Sequence, residues 1–154
     1  MSDFVIDEFH AKHESSVSRI QDLATHELRT KYIPRKAREN RKSSKGAVLV
    51  ALKDDSVIGI AEYLQSDGFL YIQGIAVHPD HRGKGVCRSI LHKAEEIATS
   101  RNLSGLSLCT IEETGNVEIF ERLGFKVISR VIATNYVSPS GEPVIQVNME
   151  RKIA

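Results

Sequence analysis

A short glycine-rich basic loop, set between an apolar run and an amphipathic helix, limits the folds open to this sequence more than any other segment. The apolar run ends at residues 75–77, and Pro79 follows it in a turn. This order predicts a buried strand, a tight loop and a helix that begins near residue 86. The first N–H groups of a helix have no partner inside it, so the loop predicts a phosphate or pyrophosphate site.

Three cations and two glycines surround those N–H groups. Arg82, Lys84 and Arg88 supply positive charge beside the predicted helix start. Glycine at positions 83 and 85 removes the Cβ atoms that would hold a ligand away from the main chain. The residue types therefore favour an anion bound mainly by backbone groups.

The spacing excludes two better-known phosphate loops. A Walker A loop needs a glycine where this chain has His78 and a Ser or Thr where it has Gly85. A dinucleotide-binding fingerprint that starts at Gly83 needs glycine or alanine where the chain has Arg88. The loop therefore belongs to neither class.

A second block lies about thirty residues farther along the chain, at residues 116–125. Val117, Phe120 and Leu123 recur at three-residue spacing and predict one apolar helical face. Gly124 then supplies a left-handed cap that ends the helix. The block predicts a short amphipathic helix that follows another strand.

The two blocks together resemble the GNAT N-acetyltransferase superfamily. Arg82-x-x-Gly85-x-Cys87, after Ile75-Ala76-Val77-x-Pro79, is similar to that family's acyl-CoA motif, usually written Gln/Arg-x-x-Gly-x-Gly/Ala. Cys87 is the one departure; it is still small, and the family uses this position through its N–H group, so we expect binding to survive. The second block resembles the family's short helix with its Leu-Gly-Phe end, and the resemblance covers residues 47–130.

The resemblance implies an α/β fold in a single GNAT-like domain that spans residues 1–154. It implies a mixed, mostly antiparallel sheet with helices on both faces and a splayed central strand pair. The gap between that pair would admit the pantetheine arm of acetyl-CoA. The residues implied to bind acetyl-CoA are Ile75, Ala76, Val77, Arg82, Gly83, Lys84, Gly85, Val86, Cys87, Arg88 and Asn116.

Periodicity along the chain predicts alternating strands and helices. We expect strands at residues 4–6, 47–52, 57–64, 69–77, 106–111, 125–136 and 144–149, and helices at 15–28, after the glycine loop and at 116–123. Residues 29–45 are strongly basic and contain Pro34. We expect a mobile loop or a short helix there, with a solvated surface as its simplest role.

The sequence leaves the catalytic groups unassigned. The family often has a tyrosine as proton donor where this chain has Phe120, and some members have a carboxylate where it has Gln73 and Gly74. The remaining candidates for acid–base chemistry are Glu62, Glu112, Glu113 and Tyr136, although glutamates at a strand end are usually only solvated. We expect exposed side chains at His78 and His81, and packing roles for Cys87 and Cys109.

Two functions from different classes remain open. The first is an N-acetyltransferase that transfers acetyl from acetyl-CoA to a primary amine of a small molecule, peptide or protein. The second is an acyl-CoA-binding regulatory module with little or no catalysis, which the Phe120, Gln73 and Gly74 replacements permit. Nucleic-acid binding through residues 29–45 is disfavoured because Tyr32 is their only aromatic side chain.

Composition agrees with one compact domain. The chain has 154 residues, 41% of them hydrophobic, which is enough for a sizeable core without metal or disulfide support. A net charge of +1 gives no general attraction to nucleic acid or membrane. Two cysteines without a CxxC pair predict no disulfide framework and no metal site. Without a signal sequence or a membrane-length apolar run, we expect a cytoplasmic protein, with a homodimer left open.

Overall fold

The computed structural model describes residues 3–35 and 46–153. Within these ranges the helices are α1 (Glu14–Leu28), α2 (Val86–Ser100) and α3 (Asn116–Arg122). The strands are β1 (Val5–Glu8), β2 (Ile33–Pro34), β3 (Ala47–Lys53), β4 (Ser56–Ser66), β5 (Phe69–Val77), β6 (Gly105–Ile111), β7 (Lys126–Val137) and β8 (Pro143–Lys152). None of the helices in these ranges combines the length and the apolar character that crossing a bilayer requires.

The strands form one mixed sheet in the order β1-β3-β4-β5-β6-β8-β7-β2. Every neighbouring pair is antiparallel except β5 and β6, which run parallel. A parallel pair cannot be joined by a hairpin, and α2 provides the crossover between these two strands. The predicted α/β fold with a mostly antiparallel sheet is therefore confirmed.

Short polar turns set the register of the first hairpins. Asp54 and Asp55 join β3 to β4 with φ of 50° and 66°, and Asp67 and Gly68 join β4 to β5 with φ of 51° and 83°. Two consecutive residues with positive φ match the right-handed twist of antiparallel strands, and aspartate and glycine are among the residues that tolerate this conformation. These turns fix which side chains face each side of the sheet.

Helices cover both faces of the sheet, as the sequence predicts. On one face, α2 buries Val86, Ile90, Leu91, Ala94 and Ala98 in a cluster that also contains residues of β3 to β6 and the buried residue of α3. On the other face, α1 packs Val17 and Ile20 against Val50, Ile60 and Ala76. Strand β5 thus contributes to two cores, which fixes its position from both sides.

A missing side chain on β4 lets the start of α2 lie close to the sheet. A Cβ atom built on Gly59 would lie 2.8 Å from Cγ1 of Val86 and 3.4 Å from Cδ1 of Ile90. Real carbon atoms do not approach that closely, so only glycine permits this spacing without movement of the helix. The position of the glycine loop that precedes Val86 therefore depends on a residue in the middle of the sheet.

The prediction of a loop or short helix in the basic segment is wrong for residues 33–34. These residues form β2, an edge strand in which Ile33 pairs with Val137 and Pro34 with Tyr136. Proline has no N–H group and is tolerated at a sheet edge, so Pro34 ends a helix without excluding a strand. Arg35 adds hydrogen bonds from its N–H group to the carbonyl of Asn135 and from Nε to that of Thr134. Residues 36–45 of the basic segment lie outside the described residues.

A truncated side chain in α2 tests the core between α2 and the sheet, which is the larger of the two cores. Ile90 is fully buried, so Ile90→Ala should lower the free energy of unfolding by about 2–5 kcal/mol through lost burial and an unfilled cavity. The matched variant Ile132→Ala removes a side chain that is 61% exposed and should change it by about 0.5 kcal/mol or less. Urea denaturation of both variants measures the difference, and equal losses would contradict the assigned core.

Candidate active site

The two parallel strands at the centre of the sheet separate after a short junction. Only Leu70 with Leu106 and Tyr71 with Ser107 are paired between β5 and β6. Beyond them β5 continues to Val77 and β6 to Ile111 without further pairing to each other. The predicted splayed strand pair is confirmed, and the gap leaves backbone groups of both strands without strand partners.

A β-bulge lies on β5 within this gap. Glu62 of β4 pairs with Gln73, and Ile60 pairs with Ala76, so Gly74 and Ile75 together stand opposite a single residue of β4. Gly74 has φ of 64°, a conformation that glycine adopts without the steric cost of a Cβ atom. The bulge breaks the regular ladder where the strands diverge, and it explains the glycine at this position.

The glycine loop follows β5 directly and ends at the N-terminus of α2. Gly83 and Gly85 have φ of 74° and 83°, and a Cβ atom on either would meet no atom within 4 Å. Among the described residues, none accepts a hydrogen bond from the N–H groups of residues 86–88. Lys84 and Arg88 are exposed beside them. Free donors, open space and positive charge therefore meet at one point, as an anion site requires.

The predicted site residues on β5 divide between the two faces. Ile75 and Val77 pack against the larger core together with Cys87 and Phe120. Ala76 instead belongs to the α1 core. Only the main chain of β5 is thus common to all three of its predicted positions.

Asn116 is the first residue of α3, which lies on the same face of the sheet as α2. Its N–H group donates to Oγ1 of Thr114 at 3.2 Å, and the hydroxyl of Thr114 donates to the carbonyl of Ile111 at 2.6 Å. These bonds attach the start of α3 to the end of β6. One wall of the gap is fixed in this way.

A partly buried arginine joins the two helices on this face. Arg151 donates from Nη2 to Glu95 of α2 and from Nη1 to the carbonyl of Leu123 at the end of α3, both at 2.8 Å. Its guanidinium also lies 5.4 Å from the ring centre of Phe125. The arginine side chain is only 20% exposed, so this link is little screened by solvent. It sets the separation of α2 and α3.

The side chain of Arg82 is turned toward α1. Its Nη1 and Nη2 atoms bond both oxygens of Glu27, at 2.9 and 2.5 Å, and Nε donates to the carbonyl of Val77 at 3.1 Å. The hydrogen bond from Arg82, with its charge, lowers the pKa of Glu27. The first residue of the loop motif is thus tied to the last turn of α1 and to the end of β5.

Among the candidate acids and bases, Glu62 has the most suitable position. Glu62 lies on β4, next to the bulge of β5. It is partly buried and accepts a hydrogen bond from Nε2 of Gln73 at 2.8 Å. Strand pairing puts Tyr71, Cys109 and Asn148 on the same face of the sheet, farther along. The hydroxyl of Tyr71 donates to Sγ of Cys109 at 3.3 Å. A carboxylate and a row of neutral polar groups therefore share the face on the α1 side.

Glu112 and Glu113 have structural partners instead of being merely solvated. Glu112 forms an ion pair with Nε of Arg130 at 2.8 Å. Oε1 of Glu113 accepts the N–H group of Ile145 at 3.1 Å and thereby serves a β8 backbone donor. These contacts connect the turn after β6 to strands β7 and β8.

The other candidates have packing or capping contacts. Nδ1 of His78 accepts the N–H group of Asp80 at 3.1 Å, so His78 caps the turn before the loop, and its ring packs edge-on against His81. Tyr136 packs against Tyr32 with ring centres 5.0 Å apart. In the described part of the chain, no group of three or more histidine, cysteine or acidic side chains is arranged to hold a metal ion.

Sequence reasoning missed two contributors to this site. Glu27 is an exposed acid in the last turn of a helix, and it meets Arg82 across 55 residues of sequence, which no local pattern indicates. In the sequence, Tyr71 is one residue of a mostly apolar predicted strand and by itself carries no sign of a role in the site. For Tyr71, the alternation of β5 contained a usable signal, because it predicts that Tyr71 shares a face with Gln73.

Comparison with known proteins identifies related sequences and folds. Residues 13–125 match the model of the acetyltransferase (GNAT) family. A Bacillus anthracis protein assigned as a streptothricin acetyltransferase, solved with acetyl coenzyme A, is 15% identical over 100% of both chains, with a TM-score of 0.76. A comparison with curated protein sequences gave no significant match.

Two further solved structures share the fold. The ribosomal-protein-S18-alanine N-acetyltransferase of Escherichia coli is 14% identical, with a TM-score of 0.72, over 98% of this chain and 94% of that one. An aminoglycoside 6'-N-acetyltransferase solved with coenzyme A is also 14% identical, with a TM-score of 0.72, over 97% of each chain. The similarity thus extends over nearly the whole length of each chain.

The two cysteines should differ in reactivity. Burial raises the pKa of the Cys87 thiol to about 11, so very little of this thiol is present as the reactive thiolate at pH 8. Cys109 is exposed. Iodoacetamide at pH 8 should therefore label Cys109 in the folded protein and both cysteines after denaturation, as measured by mass spectrometry of the peptides. Cys109→Ser is the control, and rapid native labelling of Cys87 would contradict the assigned packing.

Proposed function

We infer that this chain, which belongs to the acetyltransferase (GNAT) family, transfers an acetyl group from acetyl-CoA to an amine acceptor. The observation that carries the proposal is the gap between β5 and β6, which opens beside the N-terminus of α2. A strand edge and a phosphate-binding loop are the two features that an extended, phosphate-bearing thioester needs. Both are supplied here by consecutive segments of the chain.

The residues of the loop fit the pyrophosphate of acetyl-CoA. The N–H groups of residues 86–88 would donate to its oxygens, and Lys84 and Arg88 would add positive charge. The open space at Gly83 and Gly85 is the space that a bound anion would occupy. The amide-rich pantetheine arm would pair with the free edge of β5 at Ile75 and Val77, as an added strand does.

The acceptor amine would attack the thioester carbon in the gap, so that an N–C bond forms and the C–S bond breaks. The N–H group of Ile75, within the bulge, would stabilise the negative charge that develops on the acetyl oxygen. Much of the rate would come from the alignment of amine and thioester that binding in the gap would provide. The CoA thiolate would take its proton from solvent, because Phe120 has none to give.

We assign the general base to Glu62. An amine must lose a proton to react. Glu62 pairs with Gln73, the residue that precedes the bulge, and is thus the described carboxylate that strand pairing puts beside it. Gln73 holds its Oε2 atom and leaves Oε1 for a proton from the acceptor, directly or through water. The carboxylate also attracts the positive charge that most amines carry at neutral pH.

The sheet face beyond Glu62 supports a polar primary amine as acceptor. Gln146 donates to Asn148 at 3.2 Å, and Asn148 donates to Ser129 at 2.9 Å, all three only partly buried. Neutral amides and hydroxyls of this kind match hydroxyl and amide groups of a ligand. The acceptors named for proteins of the same fold, an antibiotic, an aminoglycoside and a ribosomal protein, are polar amines of this general class.

Release of free thiol from acetyl-CoA, measured with a panel of small amines, aminoglycosides and peptides, tests the transferase function. Turnover with any primary amine supports it. Tight binding of CoA by calorimetry, without thiol release on any amine, would favour a regulatory acyl-CoA-binding module.

Filling the loop with a side chain should block CoA. Gly85→Val inserts a branched side chain into the space proposed for the pyrophosphate and should weaken CoA binding by about a hundredfold or more. Gly141→Val is the matched control: Gly141 has φ of 88°, its Cβ would also meet open space, and it lies in the β7–β8 turn. Calorimetric titration of both folded variants measures the effect. Equal affinities would refute the loop as the CoA site.

Removing the proposed base should slow the reaction without affecting CoA. Glu62→Gln retains a hydrogen-bonding group opposite Gln73 but not a proton acceptor, so kcat should fall about 10²- to 10⁴-fold while the KM for acetyl-CoA stays constant. Glu142→Gln, an exposed change in the β7–β8 turn, is the control. An unchanged kcat in Glu62→Gln would exclude this assignment.

A further inference from the structure

The ion pair between Arg82 and Glu27 places a negative charge next to the glycine loop. The proposed ligand of the neighbouring loop is a polyanion, yet the carboxylate of Glu27 lies against the first cation of that loop. Considered as charge alone, Glu27 lowers the positive potential available to a pyrophosphate. Its presence therefore calls for an explanation other than electrostatic attraction of the ligand.

The geometry of the pair supplies that explanation. Arg82 uses three of its five N–H donors, two on Glu27 and one on the carbonyl of Val77. Its side chain thus spans the last turn of α1, the end of β5 and the beginning of the loop. A bidentate arginine–carboxylate pair fixes orientation as well as distance.

The segment fixed in this way is one that the backbone alone leaves loose. Gly83 and Gly85 both have positive φ, and glycine loses more conformational freedom on ordering than any other residue. The cost of ordering a loop reduces affinity unless the loop is already held in its bound form. Arg82 stands immediately before Gly83, where a fixed side chain restricts the loop most effectively.

We propose that Glu27 is a positioning residue for acetyl-CoA: by holding Arg82 against Val77 it keeps the glycine loop in the form that binds pyrophosphate, and Arg82 serves as a brace and not as a ligand of the phosphates. The inference rests on the proposed acetyl-CoA site and assigns a role to a residue of α1, outside the loop motif. The ion pair persists at assay pH, because Arg82 lowers the pKa of Glu27 and the carboxylate is lost only when the pH falls through that lowered value.

The direction in which Glu27→Gln changes the affinity for CoA distinguishes this proposal from the alternatives. In Glu27→Gln the brace is weakened, and the dissociation constant for CoA should rise about fivefold, with the KM for acetyl-CoA rising equally and kcat unchanged. If Glu27 instead only repelled the ligand or withheld Arg82 from it, the same variant would bind CoA more tightly. A tighter or an unchanged dissociation constant overturns the proposal.

A matched ion pair serves as control. Glu112 and Arg130 lie at 2.8 Å with side chains 43% and 51% exposed, close to the 49% and 48% of Glu27 and Arg82. Glu112→Gln should leave the dissociation constant for CoA within about twofold of wild type. An equal rise in both variants would mean that loss of any such ion pair weakens binding, which also overturns the proposal.

A double-mutant cycle tests the role of Arg82. If Arg82 acts only as the partner of Glu27, the losses of CoA affinity in Arg82→Gln and Glu27→Gln should not add, and the double variant should bind CoA about as well as Arg82→Gln alone. If Arg82 contacted phosphate independently of Glu27, the two losses would add, so additive losses in the folded double variant overturn the brace. Calorimetry with CoA reads binding independently of turnover, and wild-type protein that bound no CoA would refute the proposed function instead. Thermal unfolding confirms that each variant is folded.

Discussion

Two hydrogen-bonded residue pairs join β5 to β6, and the layout of the candidate site depends on that short junction. A parallel pair requires a crossover, and α2 supplies it, so the N-terminus of α2 comes to lie at the open end of the gap. Cores on both faces hold β5, while beyond Tyr71 its edge toward β6 has no strand partner. The same connection therefore produces an unpaired strand edge and a set of free helix N–H groups side by side.

Two arginine–glutamate links hold the segments around this gap, and they differ in their exposure to solvent. Arg151 is 20% exposed and links α2 to the end of α3, whereas Arg82 is 48% exposed and links the loop to α1. Salt screens an exposed pair more strongly than a buried one. Rising ionic strength should therefore loosen the attachment of the loop before it alters the spacing of the helices, so the site is more adaptable at the loop than between α2 and α3.

Local signals made the fold predictable, and contacts distant in sequence did not. Residues close together in sequence determine the glycine loop, the apolar faces of α2 and α3 and the alternation of the strands. The structure confirms these elements. The edge strand at residues 33–34 was missed because its identity comes from pairing with Tyr136 and Val137. The bulge at Gly74 was missed for a related reason: it arises from the register between β4 and β5, which becomes visible only when the strands are paired. The choice among the carboxylates likewise depended on partners in other strands.

The groups that would bind acetyl-CoA belong mostly to the main chain: the free edge of β5, the bulge and the first N–H groups of α2. Every residue except proline carries an N–H group, so such a site asks little of side-chain identity beyond a few glycines. The side chains around it are then free to change during evolution as long as the backbone path is kept. Sequences only 14–15% identical to this chain share its fold with TM-scores of 0.72–0.76. A site made of peptide groups can thus accept new substrates through changes in the surrounding side chains while the cofactor-binding backbone remains as it is.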